Sequence, residues 1–125
     1  MGLDQYLFIW DEPIDIIALN EYYETEEDER EPTEEEAALL FRESKLWLEG
    51  LEFQWERRHD INGAFSMLYD TVNYNLQYAE LTLDDWSLLE GLDKSPEYTE
   101  EDAVRFKKIR EALESGEYVY YYPWW

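Results

Sequence analysis

The sequence predicts an α+β fold in which a small, mostly antiparallel sheet of three or four strands packs against about three to four helices. Segments rich in aromatic residues, typical of strands, lie at both ends of the chain. Apolar residues at helical spacing fill the middle, and Thr residues followed three positions later by Glu or Asp mark helix starts. The chain has 125 residues, of which 45% are hydrophobic. It can therefore bury one core, and we expect a single acidic domain over residues 1–125.

The first predicted element is a strand from Leu3 to Trp10. Its even-numbered residues Tyr6, Phe8 and Trp10 would share one face, and its odd-numbered apolar residues would share the other. Because both faces are apolar, we expect this strand to be covered on both sides. The following segment, 14–19, is either a short strand or one turn of helix.

The most one-sided segment is Glu21–Glu36, which has ten acidic residues and a single basic one, Arg30. Residues 21–32 follow neither the helical nor the strand period, which predicts a loop. Thr33 and Glu36 form a capping-box pattern that starts a helix. Acidic residues in a first turn are favoured by the helix dipole, so part of this acidity has a structural explanation.

Helical spacing of apolar residues predicts one long helical region from Thr33 to about Thr71, interrupted near Gly50 or Gly63. Polar residues interrupt the second half of its apolar face. The residues that carry the spacing are Ala37, Leu40, Phe41, Leu48, Leu51, Trp55, Ile61, Phe65, Leu68, Tyr69 and Val72.

The last third of the chain combines both periods. Alternation predicts a strand over Tyr74–Leu81, and Thr82 is expected to cap a helix that runs to about Leu92. Thr99, with Asp102 three residues on, caps a final helix that ends at Gly116. The expected apolar face of this helix is Val104 or Ala103, Phe106, Ile109 and Leu113.

A final strand is predicted over 117–122, where tyrosines alternate. Trp124 and Trp125 follow it. We favour the interpretation that they close the core, and the alternative is that they form an exposed aromatic anchor for a partner.

The net charge of −22 opposes binding to nucleic acid or to an anionic membrane, and its natural complement is a basic protein surface. Cysteine is absent, which excludes disulfides, thiolate metal sites and cysteine nucleophiles. No phosphate loop, dinucleotide-binding glycine pattern or nucleophile elbow is present. The single His59 is too few for a metal site. We therefore predict no catalytic residues, no metal and no cofactor. We also expect no secretory signal, no membrane span and a cytoplasmic location.

Three short motifs lie at the two ends and in the middle of the chain. Met1–Leu7 reads MGLDQYL, and Tyr118–Trp125 is rich in Tyr and Trp. The middle motif consists of Trp55, Arg57, Ile61, Gly63 and Phe65. Together they resemble a group of small phage and prophage proteins of uncharacterised function, which start MGLDxYL and carry a helix reading W-x-K-x-x-x-I-H-G-W-F. The resemblance implies a phage setting and no defined activity. Asn62 and Ala64 stand where that group has His and Trp.

These observations predict an acidic inhibitor, encoded by a phage, that acts as a nucleic-acid mimic on the basic surface of a bacterial nucleic-acid-binding protein, of the anti-CRISPR or anti-restriction type. It would act in the host cytoplasm as a monomer or dimer, with no direct contact to nucleic acid or membrane. The alternative is a small non-catalytic phage structural or regulatory module whose acidity serves solubility. The expected partner-binding residues are Glu24, Glu26, Glu27, Asp28, Glu29, Glu31, Glu34, Glu35, Glu36, Trp124 and Trp125.

Overall fold

A computed structural model describes residues 2–25 and 31–125, in which a four-stranded antiparallel sheet lies between two layers of helices. The predicted α+β class is confirmed. The strands are β1 (Asp4–Trp10), β2 (Leu51–Glu56), β3 (Ala79–Leu81) and β4 (Tyr118–Trp124). The α-helices are α1 (Ile16–Thr25), α2 (Glu34–Glu49), α3 (His59–Ser66) and α4 (Glu100–Glu114), and two 3₁₀ helices span Leu83–Leu89 and Leu92–Lys94.

The two ends of the chain form the centre of the sheet, whose strand order is β2-β1-β4-β3. β1 and β4 pair antiparallel, with Asp4 opposite Trp124 at one end and Trp10 opposite Tyr118 at the other. β2 borders β1, and the short β3 borders β4.

Each face of the sheet buries its own apolar core, because successive side chains of a strand point to opposite faces. Phe8, Trp10 and Tyr120 pack beneath α1 and α2 together with Leu19 and Leu46. The opposite face packs against α3, α4 and the 3₁₀ helices; its buried residues include Leu7, Ile9, Phe53, Trp55, Ile61, Phe65, Phe106, Ile109, Val119 and Tyr121. The prediction that β1 is covered on both sides is confirmed.

The predicted long helical region from Thr33 to Thr71 is wrong. Of the two alternative interruptions, the one at Gly50 is present, whereas Gly63 lies inside α3. α2 ends at Glu49, the chain turns at Gly50 into strand β2, and α3 stops at Ser66. Leu48, Leu51 and Trp55 fit helical spacing, but Phe53 and Trp55 also alternate with polar residues. Pairing with the open edge of β1 selects the strand.

Two further expectations for α2 and the acidic segment are corrected. The predicted loop does not begin at Glu21, because α1 continues to Thr25. Phe41 and Leu48 are exposed, whereas Leu46 is buried. The predicted capping box at Thr33 is confirmed. The undecided segment 14–19 lies largely in α1.

In the last third of the chain, the observed elements agree with the predicted ones only in part. The strand predicted over 74–81 shrinks to β3, and the helix expected after Thr82 is 3₁₀ helix, with the Thr82 hydroxyl bonded to Asp85 instead of a backbone N–H. The capping box of Thr99 and helix α4 are confirmed. Val104 and its alternative Ala103 are both exposed, however. The buried face of α4 is formed by Asp102, Phe106, Ile109 and Ala112, with Leu113 partly buried beside it.

Candidate partner-binding surfaces

The described acidic residues of the predicted site lie on α1, on α2 and in the segment before α2. Glu24 is exposed in the last turn of α1, Glu31 is exposed before α2, and Glu34 and Glu35 are exposed in the first turn of α2. Glu36 is partly buried, because its carboxylate accepts the Thr33 N–H of the capping box at 2.9 Å. Glu26, Glu27, Asp28 and Glu29 lie outside the described residues.

Helices α1 and α2 form one layer over the sheet and are tied together by a shared carboxylate. Glu43 of α2 accepts hydrogen bonds from the hydroxyls of Tyr23 in α1 and of Tyr78, each at 2.5 Å. Trp47 Nε1 donates to the Tyr78 hydroxyl at 2.8 Å. The acidic side chains of these two helices therefore stand on packed, hydrogen-bonded elements.

The charge is more one-sided on this layer than on the other. Residues 11–25 and 31–49, which include α1 and α2, hold eleven acidic and two basic residues. Residues 57–78 and 82–117, which include α3 and α4, hold thirteen acidic and seven basic residues. Carboxylates thus occur on both layers, but only the α1–α2 layer has almost no compensating cations among the residues that the structure describes.

Arg42, one of the two basic residues of the α1–α2 layer, is held by groups of the chain itself. Its Nε donates to the carbonyl oxygen of Pro13 at 2.6 Å, and its Nη2 lies 3.2 Å from a carboxylate oxygen of Glu12. The guanidinium also sits over the Trp10 ring, 5.2 Å from its centroid. Lys45 is the other cation of this layer.

The C-terminal tryptophans are exposed, so the expectation that they close the core is wrong. The backbone of Trp125 is nevertheless fixed. Its N–H donates to Asn75 Oδ1 at 2.9 Å, and Asn75 Nδ2 donates back to its carbonyl oxygen at 3.0 Å. The Trp125 ring meets Tyr74 edge-on at 5.0 Å. Asn75 also lines a cleft of about 530 Å³ with Glu24, so Asn75 links the backbone of Trp125 to the cleft at the end of α1.

Asp60 and Asp102 form a largely buried ion cluster with Arg58 that sequence reasoning did not find. Arg58 donates to Asp102 at 2.8 Å and to Asp60 at 3.0 and 3.1 Å. Burial raises the pKa of Asp102, but the hydrogen bonds from Thr99 N–H, Arg58 and Trp55 outweigh burial and leave that pKa below its ordinary value. The pKa of Asp60 is likewise lowered, because Arg58 and the Ser95 hydroxyl outweigh burial.

This cluster joins the starts of α3 and α4 to β2. Every charged group in it is engaged by groups of the same chain, which indicates a structural role. The signal that could have revealed it is the N3 position of the Thr99 capping box, where an acidic residue is expected to turn back onto the helix start.

Asn62 belongs to a second polar network. It accepts a hydrogen bond from the Tyr121 hydroxyl at 2.8 Å and donates to the Tyr74 hydroxyl at 3.0 Å. Tyr121 in turn accepts a bond from the buried Gln5 at 3.0 Å. His59, by contrast, is exposed at the first position of α3.

Among residues 2–25 and 31–125, no group of three or more His, Asp or Glu side chains is arranged to hold a metal ion. None of the helices in this described part combines the length and the apolar composition needed to cross a membrane. Comparison of the chain with protein-family models, with curated proteins and with solved structures found no match.

Proposed function

We propose that this protein is a phage-encoded acidic inhibitor that binds the basic surface of a bacterial nucleic-acid-binding protein, such as a CRISPR effector or a restriction enzyme, in place of nucleic acid. The observation that carries the proposal is the one-sided charge of the α1–α2 layer, which has eleven acidic and two basic residues. The phage setting rests on the resemblance described above.

The physical argument is that fixed carboxylates can replace phosphates on a cationic surface. DNA presents one charge per about 1.7 Å of its axis, and proteins meet it with lysines and arginines. The 16 residues of α2 span about 24 Å at about 1.5 Å per residue. The two helices together carry seven acidic residues, about one per 3.4 Å of that length, which is the charge spacing of one DNA strand. Because both helices are packed on the sheet, little conformational entropy is lost when a partner binds.

A role without chemistry is supported by the state of the two acids whose pKa is lowered, Asp60 and Asp102. Asp60 and Asp102 already share Arg58, and Asp102 also accepts from Trp55 and Thr99. A catalytic acid or base must be free to exchange a proton with substrate. We therefore propose that the protein acts by occupying a surface, in the host cytoplasm and as a monomer or dimer.

A second function is favoured by one observation, the thirteen acidic residues on the α3–α4 side. Acidic residues on both layers are also what a small phage structural or regulatory module would carry if its acidity served solubility. Such a module would not depend on the acids of any single layer.

The test compares two variants that lose five exposed charges each. The first carries Glu→Gln substitutions on the α1–α2 side; its positions are Glu21, Glu24, Glu31, Glu34 and Glu35. The control carries the same kind of change, from acid to amide, on the other side, at Asp70, Asp84, Glu90, Asp93 and Glu100. Both sets include residues at a helix start, so the effects on helix dipoles are comparable.

Binding is measured to a partner captured from nuclease-treated bacterial lysate and then purified. We expect that partner to bind DNA or RNA in competition with this protein. We also expect its affinity to fall steeply as salt rises, and to drop at least about tenfold in the first variant only. An affinity that hardly changes with salt, or an equal loss in both variants, would contradict the proposal.

A further inference from the structure

Helix α2 carries an apolar stripe on its outer side that the fold does not use. Phe41 is 69% exposed and Leu48 is 85% exposed, and the two lie seven residues apart, two turns along the same side of the helix. Ala37 and Ala38 are exposed one turn before Phe41. We call Phe41 and Leu48, with these alanines, the outer stripe.

The outer stripe is separate from the face that holds α2 to the sheet. The core beneath α2 is filled by Leu46, with Leu39 and Leu40 packed against it. Phe41 and Leu48 therefore add little to the stability of the folded chain. Ser44 and Lys45 lie between Phe41 and Leu48 on this side, so the two large apolar side chains are separate contacts and not one continuous patch. Apolar side chains at i and i+7 on one helix side are the spacing by which amphipathic helices are recognised, and leaving them in water is unfavourable.

An acidic cleft begins where the outer stripe ends. Glu49 and Leu51, the exposed residues that follow Leu48, line a cleft of about 650 Å³ between the C-terminal ends of α2 and α4. Its apolar wall is Ile9, Trp10 and Ala112. Its charged residues are Asp11, Glu49, Glu111, Glu117 and one cation, Lys108.

We infer that the outer stripe and the acidic cleft together form the docking surface for a basic amphipathic helix of the partner protein. The inference rests on the proposed function and names the part of the partner that is recognised. The apolar side of the partner helix covers Phe41 and Leu48, and a lysine or arginine beyond it enters the cleft. Acidic residues stand at both ends of the stripe, Glu34 and Glu35 at one and Glu49 at the other.

Charge complementarity selects this occupant over the others. A second copy of the chain would bring another net charge of −22 against the same acidic rim. Nucleic acid and anionic lipid carry the same sign of charge as the acidic rim and would be repelled by it. A cationic amphipathic helix matches both the outer stripe and the acidic residues around it, since interfaces combine an apolar centre with a polar rim.

The probe is a fluorescein-labelled synthetic helical peptide whose leucines form one face and whose remaining positions are lysine. A second peptide has the same composition in a scrambled order without an apolar face. The test variant is Phe41→Ser/Leu48→Ser. The control is Met67→Ser/Val72→Ser, because those residues are 69% and 86% exposed and lie after α3, outside the stripe.

Binding is followed by fluorescence anisotropy at several salt concentrations. We expect the amphipathic peptide to bind the native chain. Its affinity should fall at least about tenfold for the test variant and stay unchanged for the control variant. We expect Glu49→Gln/Glu111→Gln to make the affinity less dependent on salt. Circular dichroism checks that each variant is folded.

The inference is overturned if the scrambled peptide binds equally well, or if both serine variants lose affinity to the same extent. It is also overturned if sedimentation shows a dimer that Phe41→Ser/Leu48→Ser abolishes, since a second copy is then the occupant. Failure of the proposed function looks different. In that case peptide binding still requires Phe41 and Leu48, but this protein has no partner for which it competes with DNA or RNA.

Discussion

Replacing Asp102 with asparagine tests whether the buried ion cluster stabilises the α3–α4 side of the fold. Asp102 is 3% exposed, and its carboxylate accepts three hydrogen bonds. Trp55 Nε1 donates to Oδ1 at 3.0 Å, while Arg58 Nη1 and Thr99 N–H donate to Oδ2 at 2.8 and 3.0 Å. Asparagine has nearly the same shape, but it offers one oxygen and an NH₂ donor and carries no charge.

The expected decrease in the free energy of unfolding follows from these contacts. If the amide oxygen keeps the bonds from Arg58 and Thr99, the NH₂ group faces the indole N–H of Trp55, which is left buried and unpaired at a cost of about 1–3 kcal/mol. Arg58 also exchanges a charged acceptor for a neutral one, but it keeps Asp60. We therefore expect Asp102→Asn to lower the free energy of unfolding by about 3 kcal/mol, the lower end for a broken buried pair. For a domain of this size, that lowers Tm by about 10 °C.

The assay is urea unfolding followed by circular dichroism at neutral pH, with Glu101→Gln as the matched control. Glu101 precedes Asp102 in the first turn of α4, and its side chain forms an exposed pair with Arg105 at 2.8 Å. Both variants remove one negative charge, so the general relief of repulsion is the same. We expect Glu101→Gln to change stability by less than about 0.5 kcal/mol. Equal losses in the two variants would refute the reasoning.

The pH dependence gives a second check on the same residue. The folded-state pKa of Asp102 is lowered, so its contribution to stability is fully present above the pKa of an unfolded aspartate, about 3.9, and is lost as the pH falls through the folded value. The stability difference between the native sequence and Asp102→Asn should therefore be constant near neutral pH and shrink below about pH 4. A difference that is unchanged in acid would contradict this assignment.

Two further outcomes are expected. A Cβ at Gly50 would lie 2.7 Å from the carbonyl oxygen of Leu46, so Gly50→Ala should cost about 2 kcal/mol in urea unfolding. At Gly63, where nothing lies within 4 Å, Gly63→Ala in α3 should stabilise by up to about 1 kcal/mol, and equal effects at both positions would contradict this account. Burial raises the pKa of Tyr120 to about 12 and raises the pKa of Tyr69, Tyr78 and Tyr121 further. In an absorbance titration, those tyrosines should ionise only as the protein unfolds in alkali, and one complete transition near pH 10 would contradict their burial.

The helix starts could be predicted because their signals are local. Thr33 with Glu36 and Thr99 with Asp102 each satisfy two backbone or side-chain groups within four residues, and both capping boxes are present. The central strand β1 could also be predicted, because two apolar faces require cover on both sides. The largest errors concern segments whose conformation depends on a distant partner.

Strand β2 is the clearest of these. Its residues satisfy helical spacing with Leu48 and strand alternation through Phe53 and Trp55, and the sequence contains nothing local that decides between them. The decision comes from β1, which offers an open edge far earlier in the chain and pairs Leu7 with Phe53. Backbone hydrogen bonds to that edge outweigh the local preference for helix.

The candidate binding surface could not be predicted from local sequence either. α2 has two apolar stripes with the same seven-residue spacing, Leu39 with Leu46 and Phe41 with Leu48. Periodicity cannot say which stripe is buried. Packing against the sheet buries the first, and the second is thereby left available to a partner.

The order of amino acids alone determines the charge of the chain, its α+β class and the caps where α2 and α4 begin, because these depend on composition or on neighbours within one helical turn. Only the tertiary structure decides that residues 51–56 form a strand, that Asp102 is buried with Arg58, and that Phe41 and Leu48 face water. Each of these depends on contacts between residues far apart in the chain, whose energies exceed local preferences.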